Sequence, residues 1–148
     1  LDGPQRKGNL RRSRAAAVNI VPASSGAAKA IGLVLPELDG KLSGAAQRVP
    51  VPTGSTTILD AVVAGKVTVD EVNAQMKKEE TESFEYCTDE VVSQDIVNST
   101  AGSIFDPSQT KVLPMGDKTL VQVVSWYDNE CSYVSQMVRT IKYFSELK

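Results

Sequence analysis

The chain has 148 residues, of which 41% are hydrophobic and 23% are charged, a composition typical of a globular domain with a buried core. It contains no apolar run of eighteen residues and no visible signal peptide, so we expect no membrane span and a cytoplasmic location. The formal net charge is −2, and the chain has no histidine. Its two cysteines, Cys87 and Cys131, follow neither a disulfide framework nor a metal-ligand spacing, which predicts reduced thiols and no metal site.

The charge is distributed unevenly along the chain. Residues 1–14 hold five basic residues and one acidic residue, a net +4, which leaves −6 for the rest. A basic arm is common in nucleic-acid-binding proteins. Aromatic residues make up only 5% of the chain, and few lie near the arm, so a base-stacking surface is missing and nucleic acid is not expected as a partner. We interpret the arm as a solvated or subunit-facing loop.

The first half of the chain predicts a loop, a short strand, a helix and two extended segments. The strand is expected to end at Pro22, and the helix is expected to end before Pro36, because proline has no backbone N–H to continue either ladder. The second of the two extended segments alternates and is rich in β-branched residues. These elements cover residues 1–17, 19–21, 26–35, 44–51 and 56–63, respectively.

The second half predicts a capped helix, four strands and a C-terminal helix. Thr68 and Glu71 fit a capping box, with Val72 and Met76 on one face of the helix that follows. Turn pairs such as Asp106-Pro107 and Gly116-Asp117 are expected to separate strands. The strands are predicted at residues 84–87, 102–105, 111–114 and 120–126, and the last helix at residues 131–147, with an apolar stripe of Val134, Met137, Val138, Ile141 and Phe144.

The proportion of strands and their connections indicate the fold class. Strands outnumber helices, and their joints resemble hairpins rather than βαβ crossovers. We therefore predict an α+β fold, with a mixed, mostly antiparallel sheet, helices packed on one of its faces, and a C-terminal helix.

Residues 22–30, Pro-Ala-Ser-Ser-Gly-Ala-Ala-Lys-Ala, are typical of a helix start that faces an anion. Ser24 or Ser25 can serve as the N-cap, and Gly26 permits close approach of a ligand to the backbone. Free N–H groups and the helix dipole make such a terminus favourable for phosphate. Small residues are also common at helix starts that bind nothing, so both interpretations stay open.

Two further side chains have both a structural and a functional interpretation. Arg48 lies within an apolar extended segment, where a charge needs a partner. It either pairs with a carboxylate on an edge strand or clamps a phosphate through parallel N–H groups. Asn129 either caps the last helix or presents its amide to a ligand. Neither cysteine has an imidazole partner, so we interpret both as bystanders rather than nucleophiles.

Five segments resemble glyceraldehyde-3-phosphate dehydrogenase, in order and at family spacing. They include Leu-Pro-Glu-Leu-Asp-Gly-Lys-Leu, Arg-Val-Pro-Val-Pro and Ser-Trp-Tyr-Asp-Asn-Glu, and together they span essentially the whole chain. A further segment at residues 10–17 is similar to the bacterial and chloroplast branch of the family. The five segments lie at residues 19–30, 35–42, 48–52, 89–93 and 125–130.

The resemblance implies a glycolytic oxidoreductase that is a cytoplasmic homotetramer. It converts glyceraldehyde 3-phosphate, inorganic phosphate and NAD (or NADP) to 1,3-bisphosphoglycerate and the reduced cofactor, through a cysteine thiohemiacetal and a thioester. The family's nucleophilic cysteine, histidine base and N-terminal dinucleotide-binding domain have no counterpart in these residues. We therefore expect residues 1–148 to be an incomplete C-terminal catalytic domain, without a catalytic residue of its own and inactive alone. The alternative is a stand-alone interaction module that kept the fold and lost catalysis.

The resemblance also implies which residues bind phosphate. Ser25 and Gly26 match the family's site for the attacking inorganic phosphate. Arg48 matches the arginine that holds the C3 phosphate of the substrate. Arg12 matches the loop arginine that serves the phosphate sites, with Arg11 as the alternative because loop lengths differ.

Cofactor and subunit contacts follow from the same resemblance. Asn129 matches the asparagine that orients the nicotinamide carboxamide, with Tyr133 nearby. Residues 1–17 match part of the loop that lies against a neighbouring subunit and its cofactor pocket. In the family the last helix packs on the dinucleotide-binding domain, so we expect the apolar stripe of that helix to be partly unpaired here.

Overall fold

A computed structural model describes residue 8 and residues 10–147 of the chain. The chain divides into two compact units, Leu1–Pro52 and Thr53–Lys148. No helix among the described residues is both long enough and apolar enough to cross a membrane.

The first unit contains a two-stranded antiparallel sheet and one α-helix. β1 (Val21–Ser24) pairs with β2 (Ala45–Arg48), so that Val21 lies opposite Arg48 and Ser24 lies opposite Ala45. α1 (Ala27–Val34) follows β1 closely, and a 3-10 turn at Pro36–Leu38 follows α1. The stop of the helix before Pro36 is confirmed.

Two predictions for the first unit need correction. The strand predicted at residues 19–21 lies instead at Val21–Ser24 and includes Pro22. In a two-stranded sheet each strand has an edge without a partner, and a proline on that edge costs no ladder hydrogen bond. The loop predicted at residues 1–17 contains a 3-10 turn at Leu10–Ser13, and residues 1–7 and 9 of it lie outside the described residues.

The second unit is a four-stranded sheet with two helices. The strand order is β3-β6-β5-β4, in which the two pairs involving β6 are antiparallel and β4 runs parallel to β5. The predicted α+β class with a mixed, mostly antiparallel sheet is therefore confirmed. The elements are β3 (Ser55–Ala64), α2 (Val69–Lys78), β4 (Phe84–Tyr86), β5 (Ser103–Met115), β6 (Lys118–Tyr127) and α3 (Cys131–Glu146).

β5 is one continuous strand, although the sequence predicts two strands divided by a turn at Asp106-Pro107. The pairing register with β6 shifts between Asp106 and Lys111, so the intervening residues bulge out and the strand then resumes. A local turn does form, because the Asp106 carboxylate accepts hydrogen bonds from the Ser108 N–H at 3.1 Å and the Ser108 hydroxyl at 2.6 Å. The turn signal therefore marks a bulge rather than a chain reversal. The reversal predicted at Gly116-Asp117 is confirmed, with Gly116 at a φ of 68°.

The capping box predicted for α2 is confirmed. The Thr68 hydroxyl accepts from the Glu71 N–H at 3.2 Å, and the Glu71 carboxylate accepts from the Thr68 N–H at 2.8 Å. These bonds stabilise the charged carboxylate, so the Thr68 N–H and then the Thr68 hydroxyl lower the pKa of Glu71. The box fixes where α2 begins and thus which of its faces meets the sheet.

The main core lies between α2 and one face of the sheet. Phe105, the most deeply buried large apolar side chain, is 1% exposed and packs beside the Tyr86 ring, with the ring centroids 5.5 Å apart. Val72 and Met76 of α2 pack on the same cluster, as the predicted helix face requires. The opposite face of the sheet carries a second cluster of Ile96, Ala101 and Ile104, with Trp126 packed against it.

We expect Phe105→Ala to lower the free energy of unfolding of the chain by about 3–5 kcal/mol, because it leaves a cavity at the centre of the main core. The matched control is Phe144→Ala, since Phe144 on α3 is 64% exposed, and it should change stability by no more than about 0.5 kcal/mol. Chemical denaturation followed by the fluorescence of Trp126, the single tryptophan, measures both. Equal effects of the two variants would contradict the placement of the core.

Candidate functional site

Ser25 and Gly26 lie at the start of α1, where the sequence places them. The N-cap is Gly26 rather than Ser24 or Ser25, so the N-cap prediction is wrong by one residue. The Ser25 hydroxyl instead accepts a hydrogen bond from the Ala27 N–H at 3.1 Å. A serine bonded two residues ahead forms a small turn of its own, and that turn moves the helix start beyond Ser25.

The surroundings of Gly26 are open. A Cβ atom added at Gly26 would meet no atom within 4 Å. The backbone has a φ of −89° and a ψ of −2°, which any residue can adopt. Neither conformation nor internal packing of the described chain therefore requires glycine at this position. The missing side chain does leave the first amides of α1 accessible to an anion.

Arg48 ends β2 and is exposed. The ion pairs among residue 8 and residues 10–147 are Lys77–Glu80 and Arg139–Glu82, so no carboxylate there pairs with Arg48. The structure thus does not support the alternative of a simple edge-strand ion pair. Because Arg48 lies opposite Val21, it lies about 10 Å along the sheet from the end of β1 that leads into Ser25.

The described part of the basic segment lies against the start of β1. Arg11 and Arg14 line a shallow cavity of about 480 Å³, together with Val21. Arg12 lies on the same 3-10 turn, Leu10–Ser13, and is exposed. The backbone of Arg48 lies opposite Val21, so arginines from two elements are positioned near this end of β1. Both Arg12 and Arg11 remain candidates for the loop phosphate arginine.

The N-cap position of α3 is Glu130, whose side chain makes no capping bond, and the Asp128 carboxylate rather than Asn129 satisfies the first N–H groups of the helix. One oxygen of the buried Asp128 carboxylate accepts from the N–H groups of Glu130, at 2.9 Å, and Cys131, at 2.6 Å. The other oxygen accepts from the Asn98 N–H at 3.0 Å. The Ser132 hydroxyl closes the turn by donating to the Asp128 carbonyl. The capping interpretation of Asn129 is therefore wrong, because Asp128 already occupies that role.

The Asp128 carboxylate is held in its charged form. The hydrogen bond from the Asn98 N–H, followed by that from the Cys131 N–H, lowers its pKa below the ordinary aspartate value. The dipole at the start of α3 acts in the same direction. Asn98 itself has a φ of 69°, a conformation that few residues other than glycine adopt. The bond to Asp128 therefore also holds a loop in an uncommon geometry.

The Asn129 side chain is exposed and bonded to the start of β3. Its Nδ2 donates to the Ser55 hydroxyl at 2.8 Å, and its Oδ1 lies 3.0 Å from the same hydroxyl. The Thr53 hydroxyl lies 3.4 Å from Asn129 Oδ1 and donates to Glu130 at 2.9 Å. Tyr133, 67% exposed, lies on the first turn of α3.

The sequence reading missed Ser55 and Asp128 as partners of this region. Ser55 lies far from Asn129 in the chain, and only the β3–β6 register brings them together. Asp128 could have been recognised from its own preference for helix caps, which equals that of asparagine. The two residues are adjacent, so composition alone does not choose between them.

The two cysteines lie in unremarkable surroundings. The Cys131 thiol lies 3.5 Å from the Asn98 carbonyl, and the Cys87 thiol lies 3.9 Å from the Asp89 carbonyl. Both are half-buried and free, and their bystander status stays a prediction. Within the described ranges, no three potential ligands among Cys, Asp and Glu cluster as a metal site would require.

The apolar stripe of α3 is exposed, as expected. Each of its members is at least 44% accessible, although the side chains would normally be buried. In the second unit, the helix is fastened to the rest of the unit by its polar side instead. The Arg139 guanidinium donates to the Thr100 carbonyl at 2.8 Å, and Gln136 accepts from the Ser83 hydroxyl at 2.9 Å. The stripe consists of Val134, Met137, Val138, Ile141 and Phe144.

Comparison with known proteins decides the family. The family model described as glyceraldehyde 3-phosphate dehydrogenase, C-terminal domain, matches residues 1–129. The chain belongs to this family. It is 60% identical over 147 residues to glyceraldehyde-3-phosphate dehydrogenase of Streptococcus pyogenes serotype M1. The corresponding values are 61% for the protein of Lactobacillus delbrueckii subsp. bulgaricus and 58% for that of Clostridium pasteurianum.

These matches confirm the resemblance drawn from the motifs. Each covers 99% of the chain but 44% of the relative, so the chain spans less than half the length of the curated relatives it matches. The membership applies to the C-terminal domain of glyceraldehyde 3-phosphate dehydrogenase, which is the part that the family model describes.

We expect Asp128→Ala to lower the free energy of unfolding by about 2–3 kcal/mol, because three backbone N–H groups lose a charged acceptor. The folded-state pKa of Asp128 is lowered, so its ionic contribution is complete above the unfolded-state pKa and disappears as the pH falls through the folded-state value. The stability difference between the native chain and Asp128→Asn should therefore shrink from about pH 7 to about pH 3.

Urea denaturation at a series of pH values measures this difference. Asp117→Asn is the matched control, because Asp117 lies exposed in the turn between β5 and β6. A difference for Asp128→Asn that is independent of pH would contradict the cap assignment.

Proposed function

We propose that this chain is the phosphate-binding and nicotinamide-orienting part of a phosphorylating glyceraldehyde-3-phosphate dehydrogenase. The full protein would oxidise glyceraldehyde 3-phosphate with NAD or NADP and inorganic phosphate, as a cytoplasmic homotetramer. The observation that carries the proposal is a pair of groups suited to anions in a chain of this family. They are the open start of α1 and Arg48, which pairs with no carboxylate among residue 8 and residues 10–147.

Two phosphate groups must be held in this reaction, one on the substrate and one that attacks. The start of α1 supplies neutral N–H donors, the Ser25 hydroxyl and the positive end of a dipole, which suit a mobile inorganic phosphate. The guanidinium of Arg48 supplies a full positive charge and two parallel N–H groups, which suit the phosphate that is anchored to the substrate. Arg12 or Arg11 adds charge from the loop. The backbone positions that carry these two groups lie about 10 Å apart along β1.

The residues at the end of β6 suit a nicotinamide carboxamide. With the Ser55 hydroxyl bound, the Asn129 amide still has one N–H to donate and one lone pair to offer. These two groups point in different directions, because the Ser55 hydroxyl occupies the edge between Oδ1 and Nδ2, so a carboxamide can form one hydrogen bond with either of them. NAD or NADP, when bound, accepts the hydride that leaves the substrate. Asn129 orients the carboxamide, and Tyr133, which lies one helical turn beyond, adds an exposed aromatic surface.

The groups that would break and form covalent bonds are not among the residues of this chain. It has no histidine, and both cysteines contact backbone carbonyls rather than a base. We infer that residues 1–148 alone bind ligands at most and do not turn over substrate. The exposed apolar side chains of α3 and of β3, such as Ile58 and Val62, favour burial against further protein surface in a homotetramer.

Arg48→Ala in the full-length protein should lower kcat/KM for glyceraldehyde 3-phosphate by about ten- to hundredfold, because a charge-assisted contact of about 1.5–3 kcal/mol is lost. NADH formation followed by absorbance measures it. Lys41→Ala, which removes an exposed charge from the segment before β2, should leave the rate unchanged. The isolated 148-residue chain should form no NADH. Failure of the full-length protein to form NADH would refute the proposed function, and an unaffected Arg48→Ala variant would refute the role of Arg48.

Gly26→Ala should raise the KM for inorganic phosphate about tenfold, since a methyl group would push the anion away from charge-assisted N–H donors. Gly44→Ala is the control, because a Cβ there also meets no atom within 4 Å and it lies outside the proposed site. The KM for glyceraldehyde 3-phosphate should change little in either variant. Equal phosphate KM values for the two variants would show that the α1 start does not hold the attacking anion.

A further inference from the structure

The start of β3 and the end of β6 bring Ser55 to Asn129. Ser55 pairs with Tyr127 in the register of the two strands, and Asn129 follows two residues after that strand ends. The Ser55 Oγ lies 2.8 Å from Asn129 Nδ2 and 3.0 Å from Asn129 Oδ1. A single hydroxyl therefore engages both ends of the amide, accepting from one and donating to the other.

Little else within the second unit fixes the Asn129 side chain. Asn129 is exposed, so packing does not restrict its rotation. Asp128 holds the neighbouring backbone, but its carboxylate accepts from backbone N–H groups and not from the Asn129 side-chain amide. The Thr53 hydroxyl is at the outer limit for Asn129, 3.4 Å, and is closer to Glu130. The Ser55 hydroxyl bonds to no residue other than Asn129 in the described part of the chain.

We propose that Ser55 is a positioning residue, whose hydroxyl holds one edge of the Asn129 amide so that the remaining N–H has a fixed direction toward the oxygen of the cofactor carboxamide. This inference rests on the proposed function, because it assigns Asn129 to the nicotinamide. An amide that rotates freely would present its donor and acceptor in either order, and binding would then bear the entropy cost of fixing it. With the Ser55 hydroxyl bonded to it, the Asn129 amide is already fixed in the folded protein, so cofactor binding does not lose this entropy.

The test measures the dissociation constant of NAD⁺ by calorimetry on the full-length protein. Ser55→Ala should weaken binding about three- to tenfold, which corresponds to one neutral hydrogen bond. Ser55→Thr keeps the hydroxyl and should bind within about twofold of the native protein. Thr56→Val is the matched control, since the Thr56 hydroxyl donates to the Ser125 carbonyl and not to Asn129. It should bind like the native protein.

A double-mutant cycle separates positioning from a general structural effect. If Ser55 acts through Asn129, then Ser55→Ala should have no further effect on NAD⁺ binding in an Asn129→Ala background. Crystal structures of the ligand-free variants provide a second measurement. The Asn129 amide should keep its orientation in Ser55→Thr and rotate or become disordered in Ser55→Ala.

The outcomes are distinguishable. Weakened binding in Ser55→Ala that vanishes in the Asn129→Ala background supports the inference. Unchanged NAD⁺ binding in Ser55→Ala, or an equal loss of binding in both backgrounds, overturns the positioning role of Ser55. If Asn129→Ala still weakens NAD⁺ binding in that case, the proposed function stands. If Asn129→Ala binds NAD⁺ as the native protein does, the proposed cofactor contact is refuted, and the role of Ser55 is refuted with it.

Discussion

The second unit depends most on the buried carboxylate of Asp128, which joins three parts of the chain. It satisfies two N–H groups at the start of α3 and one in the loop at Asn98, at distances of 2.6–3.0 Å. Free amides at a helix start are electropositive, and a buried charge is tolerated only with such partners. Because Asp128 directly precedes Asn129, the same bonds fix the backbone from which the Asn129 amide extends. The cap thus links the stability of the unit to the geometry of its site.

The first unit meets a different constraint if, as we propose, it holds anions without burying charge. Its donors are the amides at the start of α1, left accessible by Gly26, and the exposed guanidinium of Arg48. Both are carried by one short antiparallel pair, so the register Val21↔Arg48 and Ser24↔Ala45 sets their spacing. The register of the two strands therefore sets the backbone spacing between the two proposed phosphate positions, and short strands are enough for this.

Features set by local sequence could be predicted, and features set by long-range pairing could not. The α2 capping box and the Gly116-Asp117 turn depend on neighbouring residues and were predicted correctly. The residues Asp106-Pro107 do form a local turn, as predicted. Because pairing with β6 resumes at Lys111, the structure has one strand with a bulge where the sequence predicts two strands. Ser25, Gly26, Arg48 and Asn129 could be singled out by residue type and family resemblance. The Ser55 contact could not, because nothing in the sequence sets the register of β3 on β6.

We propose that the chain presents two anion sites and one amide site, each of fixed geometry. A crystal structure of the full-length protein with NAD⁺ and inorganic phosphate tests it most directly. We expect a phosphate within hydrogen-bond distance, about 2.7–3.2 Å, of the Ser25 hydroxyl or the first amides of α1. We also expect the Asn129 amide to bond to the nicotinamide carboxamide while it is still held by Ser55. A phosphate bound away from α1, or a carboxamide that does not touch Asn129, would contradict it.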